Sequence, residues 1–285
     1  MQIVHAQDMP WAERQERHRE GSLAFKNLFH GEEGDPNNFR LVLSRNSGEY
    51  KSPRHRHNFD QVRFCVRGAA SIAPGKSLEE GDVGYFPEGT FYGPQDDKGG
   101  DRVTLVFQGG GASGLGYMSA AQLKRGTEEL ERQGVFSGGR FMRSGDTKTR
   151  DSYEAIWEHV MGRPIIYPDG RYEDPVLVRT GAFSWRSDAT GVSRKALGSF
   201  TERGVRLESL RIDAGAETRL DAPGAMALVF IVAGQGALAA PGLAGEGAIY
   251  KDWTSIHLAK DDSVGLRASA PTELLVMTFP WISRS

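Results

Sequence analysis

The sequence predicts an all-β protein made of two barrels joined by a short helical segment. Three observations carry that reading. From Phe39 onward, short runs rich in β-branched and aromatic residues alternate with Gly, Pro and Asn turns. That is the texture of a sandwich or closed barrel, not of alternating helices and strands. The texture is interrupted by a helical stretch near the middle of the chain and then resumes. Finally, Phe230-Ile231-Val232-Ala233-Gly234 aligns with Phe64-Cys65-Val66-Arg67-Gly68, so the second half repeats the first. A chain of 285 residues divides naturally into two domains of ordinary size.

In chain order, residues 8–34 are polar and charged, with Trp11, Phe25, Leu28 and Phe29 as their strong apolar anchors. This predicts an irregular N-terminal arm over 1–38. The first barrel is expected over 39–118, with strands at 39–44, 62–67, 69–73, 82–86 and 102–108 punctuated by turns such as Pro74-Gly75 and Pro87-Glu88-Gly89. Ser119 is placed to cap a helix over 120–133, and a second helix over 152–160 ends at Gly162-Arg163-Pro164. Residues 119–170 are therefore read as a helical linker. The second barrel, 171–285, has strands expected at 206–212, 227–232, 248–250, 255–258, 264–268 and 274–279.

Composition narrows the function classes. Charged residues make up 25% of the chain and the formal net charge is −2, so no single-sign field recommends nucleic acid or an anionic membrane. No apolar run approaches the roughly 18–20 residues that span a bilayer, and the first residues lack the features of a secretory signal. A cytoplasmic location is the expectation. The single cysteine, Cys65, lies between Phe64 and Val66 and reads as a buried core residue. Gly109-Gly110-Gly111-Ala112-Ser113-Gly114 matches a dinucleotide fingerprint formally, but the alternating α and β units that give such a loop its meaning do not surround it. Nothing resembles a helix-turn-helix with a basic recognition helix.

The chemistry concentrates between Gly48 and Asp96. In Pro53-Arg54-His55-Arg56-His57-Asn58-Phe59-Asp60-Gln61, two histidines one residue apart face the same way on extended backbone. The run reads His-x-His-x3-Gln-x6-Gly, closing at Gly68, and is followed by Gly81-x5-Pro87-x-Gly89-x2-Tyr92. These segments resemble the paired motifs of the cupin superfamily, Gly-x5-His-x-His-x3,4-Glu-x6-Gly and Gly-x5-Pro-x-Gly-x2-His-x3-Asn. Here the first Gly is shifted to Gly48, the Glu is Gln61, the last His is Tyr92 and the Asn is Asp96. In the repeat, Asp221, Pro223 and Ala227 stand where the first half has His55, His57 and Gln61, so the second barrel lacks the ligands. His257 is one residue out of register with the second motif, which turns it to the opposite face.

The resemblance implies a bicupin, two double-stranded β-helix (jelly-roll) barrels with the site in the first. It further implies a divalent transition metal, Fe(II) first, with Mn, Ni, Cu or Zn as alternatives. His55 and His57 would be ligands, Gln61 a ligand or a residue that orients one, and Tyr92 an acid/base or oxyanion-facing hydroxyl. Strand parity adds Arg63, which shares a face with Gln61. Inside a barrel its guanidinium needs a partner, either a substrate carboxylate or an internal acid such as Asp60, Glu79 or Asp82. The expected function is a small-molecule, metal-dependent oxidoreductase of the dioxygenase type acting on an aromatic or enolisable carboxylated substrate. A cupin lyase or isomerase and a non-catalytic ligand-binding bicupin are the alternatives. A homodimer is expected by resemblance alone.

Overall fold

The computed structural model describes residues 1–15, 20–46, 48–98, 101–115, 117–240 and 248–283. His18, to which the sequence gives no ligand role, lies outside them. The chain divides into two compact units, residues 11–178 and residues 1–10 with 179–285. In both, the paired strands run antiparallel, as expected for an all-β chain of jelly-roll barrels.

In the unit 11–178 the main sheet runs Gln95–Lys98, Glu49–Ser52, Glu20–His30, Phe39–Asn46, Arg102–Gly109, Asp60–Arg67, Val83–Phe86 and Val176–Val178, with Ala12–Gln15 against Glu20–His30. The expected N-terminal arm is thus corrected: Glu20–His30 is an interior strand of the barrel. Two features hide it in the sequence. Leu23 and Phe25 form a buried cluster with Val42, yet Ala24 and Lys26 on the other face are buried as well, so there is no apolar–polar alternation to read. The Lys26 ammonium is accommodated over the Trp11 ring, 4.8 Å from its centroid. A register shift between Asn27 and Phe29 then places Leu28 and Phe29 in succession among buried residues, which breaks the period of two.

The helical segment is corrected too. Ala120–Glu131 begins at Ser119 with a full capping box, Ser119 and Gln122 each bonding the other's backbone N–H. Ser152–Met161 is capped by Asp151, whose Oδ1 accepts from Tyr153 N at 2.8 Å and Glu154 N at 3.1 Å, and ends at Gly162 in the left-handed region. These helices do not merely link. Tyr117, Met118, Leu130, Phe141, Tyr153, Ile156 and Trp157 form one buried cluster with Phe59, beside the histidine motif. Strand Val176–Val178 pairs with Val83–Phe86, so the first unit extends to residue 178, past the expected start of the second barrel at 171.

In the other unit the larger sheet runs Gln2–His5, Thr254–Leu258, Ala225–Ala233, Thr272–Pro280, Val205–Ile212, Val192–Phe200 and Arg186–Ala189. A smaller sheet runs Glu217–Asp221, Ser263–Ala268, Gly236–Ala239 and Ile249–Tyr250. Between them lies an apolar core that includes Leu210, Val229, Ile231, Leu238, Ile256, Leu266 and Leu274. Ala227, at the position matching Gln61, is part of it, while Asp221 is exposed.

Candidate active site

Strand Asp60–Arg67 is the spine of the site. Pairing with Arg102–Gly109 on one edge and Val83–Phe86 on the other fixes its register, and with it the facing of its side chains. Gln61 and Arg63 line a cavity of about 170 Å³ together with His55, His57 and Tyr92. All five residues singled out from the sequence meet at this one place. Cys65, of the same parity, sits instead in a buried cluster with Ile72, Leu78 and Phe86.

The two motif segments are stitched backbone to backbone. His55 N donates to Tyr92 O at 3.0 Å, Tyr92 N to His55 O at 2.9 Å and Gly89 N to His57 O at 2.8 Å. Gly89 is required there: its φ is +80°, and a Cβ would lie 2.2 Å from Pro168 O. The imidazoles are held from outside the cavity. His55 Nδ1 lies 2.7 Å from Pro53 O; a carbonyl only accepts, so Nδ1 carries the proton and Nε2 the lone pair, which is a metal-ligating tautomer. The His57 ring stacks on Phe59 at 4.3 Å and 9°, and the two imidazole centroids are 5.0 Å apart.

Arg63 occupies the centre of the polar wall. Its Nε donates to Gln61 Oε1 at 2.6 Å and its Nη2 to Tyr92 Oη at 3.0 Å. The guanidinium lies over the rings of Phe86 and Tyr92, 4.6 and 5.1 Å from their centroids. Both hydrogen-bond partners are neutral. The acids considered from the sequence are engaged elsewhere: Asp60 accepts from Tyr85 Oη at 2.8 Å and Glu88 N at 3.0 Å, Asp82 from Glu79 N at 3.1 Å, and Glu79 from the Ser77 hydroxyl. Arg102, in the same wall, forms an ion pair with Asp97. Among the described residues, no Asp or Glu lines the cavity.

The remaining wall was not legible as a site. Tyr117 comes from the chain just before the first helix and Tyr153 from the second helix; Tyr117 Oη donates to Gln108 Oε1 at 3.0 Å, and Tyr153 Oη donates to Asn58 Oδ1 at 3.2 Å. Nothing local in the sequence announces either tyrosine. Thr104, on the strand facing Asp60–Arg67, is 4% exposed, and its hydroxyl has no hydrogen-bond partner among the described residues. Phe59 did carry a signal, since it shares strand parity with His55 and His57.

The donor set fits a divalent transition ion at two imidazole nitrogens, with the Gln61 amide oxygen as a third candidate. It brings that ion no negative charge. Among the described residues no three His, Cys, Asp or Glu side chains are grouped so as to hold a metal ion, and the oxygens of Gln61 and Tyr92 both accept from Arg63.

No family model matches the sequence, and no curated protein matches it. Solved structures do match. The E. coli protein Ylba aligns at a TM-score of 0.60 and 11% identity over 99% of this chain and 92% of its own. Bacillus subtilis oxalate decarboxylase, described with Mn(II) centres, aligns at 0.55 and 13% over 99% of this chain and 78% of its own. A mutant of salicylate 1,2-dioxygenase from Pseudoaminobacter salicylatoxidans aligns at 0.52 and 16% over 86% of this chain and 71% of its own. At such identities the likeness is one of fold. These are cupin-fold proteins, and the chain folds as a bicupin, two jelly-roll barrels in one polypeptide.

Proposed function

We propose that the unit 11–178 is a small-molecule metalloenzyme, an oxidoreductase of the dioxygenase type acting on an aromatic or enolisable carboxylated substrate. The observation that carries this reading is Arg63, a guanidinium in a cavity of mixed polar and apolar walls whose two hydrogen-bond partners are neutral. A bidentate carboxylate is the ligand that such a group accepts best. The rings of Phe25, Phe59, Tyr117 and Tyr153 in the same walls suit a flat, apolar body behind that carboxylate. Two of the similar structures, a salicylate 1,2-dioxygenase and an oxalate decarboxylase with Mn(II) centres, lend the reading support from fold.

In this proposal His55 and His57 hold a divalent transition ion, Fe(II) foremost, with Gln61 beside them. The ion would supply Lewis acidity and a redox centre. The rest of the work falls to the chain. Arg63 orients the substrate by its carboxylate, and Gln61 keeps the guanidinium in place. The Tyr92 hydroxyl, 3.0 Å from Arg63 Nη2, stands beside the bound carboxylate, where it can hold a proton or face developing negative charge. Tyr117 and Tyr153 displace water from the cavity wall.

The test is oxygen uptake by protein reconstituted with Fe(II), offered a panel of aromatic and enolisable carboxylates, beside His57→Ala. Uptake that depends on the carboxylate and is abolished in the variant is expected. No uptake, with no metal retained after reconstitution by Fe, Mn, Ni, Cu or Zn, leaves the second reading, a carboxylate-binding bicupin without catalysis. One observation favours that alternative: Arg63 engages the oxygens at both positions where the family pattern has its other ligands.

A further inference from the structure

Gln61 and Arg63 form a coupled pair. In the cupin pattern the position of Gln61 carries a carboxylate. At 2.6 Å from Arg63 Nε a carboxylate would form an ion pair with the guanidinium and cancel its charge. The amide holds the guanidinium in the same place and cancels nothing. Gln61 is 2% exposed, so water does little to screen the difference. Thr104 lines the same cavity, and its buried hydroxyl has no partner among the described residues.

We infer that Gln61 leaves the charge of Arg63 uncompensated toward the cavity, so that the anion completing the site comes from the ligand and not from the protein. One ligand carboxylate then serves two cations: it neutralises Arg63 and supplies the negative charge that the protein withholds from an ion on His55 and His57. This rests on the carboxylate-binding reading above and goes beyond it in assigning Gln61 as a specificity determinant. Its distinguishing consequence is a change of opposite sign for two ligands on one substitution. Gln61→Glu weakens carboxylate binding and strengthens metal binding, whereas a merely structural Gln61 would weaken both.

The experiment is calorimetric titration of the full chain, stripped of metal, with benzoate and separately with Co(II), whose visible absorption reports coordination. Gln61→Glu is expected to bind benzoate about tenfold or more weakly and Co(II) about tenfold more tightly. Gln61→Met, which removes the hydrogen bond and leaves the charge balance untouched, is expected to hold benzoate within about threefold of wild type. Arg63→Gln is expected to lose benzoate binding. Equal weakening by Glu and Met at position 61, or benzoate affinity indifferent to Gln61→Glu, overturns the inference. Wild type that binds no benzoate overturns it together with the carboxylate reading. Co(II) bound and then lost in His57→Ala, with benzoate indifferent to position 61, keeps the metal site and overturns this inference alone. Benzoate behaving as expected while no form, Gln61→Glu included, binds Co(II) removes the change of opposite sign and overturns the inference together with the metalloenzyme reading.

Discussion

The Cys65 thiol is fully buried, and burial above all pushes it up to about 12, with Arg102 opposing and Glu80 and Glu79 adding to the rise. Its Sγ–H donates to Gly68 O at 3.2 Å. A thiol so raised and so enclosed is not a nucleophile at neutral pH. Native protein should therefore leave an aromatic disulfide reagent unreacted for hours, while protein unfolded in guanidinium should release one equivalent per chain. Gly89 is bound by a different constraint. An added Cβ meets Pro168 O at 2.2 Å and the backbone would have to keep φ at +80°, so both sterics and conformation oppose a side chain. Gly89→Ala should cost about 2 kcal/mol or more in denaturant titrations. Because Gly89 N also holds His57 O, the same variant should weaken Co(II) binding.

At the scale of elements, Asp151 is a cap with a consequence beyond its helix. It ties down the N–H groups of Tyr153 and Glu154, and Tyr153 is a wall of the cavity. Asp151→Ala should cost about 1 kcal/mol and Asp151→Asn much less, as read by chemical denaturation. The helix itself was legible, because its stop, Gly162-Arg163-Pro164, is written in local chemistry. So were the central strands such as Asp60–Arg67 and Arg102–Gly109, which are apolar runs of ordinary strand length between clear turns. Glu20–His30 was not: burial on both faces and the shift at Asn27–Phe29 erase the alternation that identifies a half-buried strand. The site follows the same division. His55, His57, Gln61, Arg63 and Tyr92 were readable because their spacing encodes facing, which backbone parity then enforces. Tyr117 and Tyr153 were not, since only tertiary packing brings the segment before the first helix and the second helix to the cavity. The neutrality of Arg63's partners likewise depended on where Asp60, Glu79 and Asp82 direct their hydrogen bonds.

At the scale of the molecule, polarity is divided unequally between two similar folds. The unit 11–178 surrounds a cavity with an arginine, two histidines and a glutamine in its walls, while the core of the other is built almost wholly of aliphatic side chains, so titration in the second unit should alter stability without altering ligand binding. His257 makes this testable. It lies on strand Thr254–Leu258 between Gln2–His5 and Ala225–Ala233, opposite Gln2 and Leu228. Burial lowers its affinity for a proton from the ordinary value near 6.5, the Met1 amine adds to that, and Asp262 opposes. The sign follows from proton counting. Above about pH 6.5 the imidazole is neutral in folded and unfolded chains alike, and its contribution to stability is fully present. As pH falls, the unfolded chain takes up the proton first, so stability is lost progressively until the folded-state value is passed. Wild type should therefore lose melting temperature between pH 7.5 and pH 5.5 more steeply than His257→Gln, which cannot charge, while benzoate affinity at pH 7.5 stays the same in both. Parallel melting curves for the two proteins would mean that His257 takes its proton equally well in either state, and that burial at this strand position leaves its proton affinity unchanged.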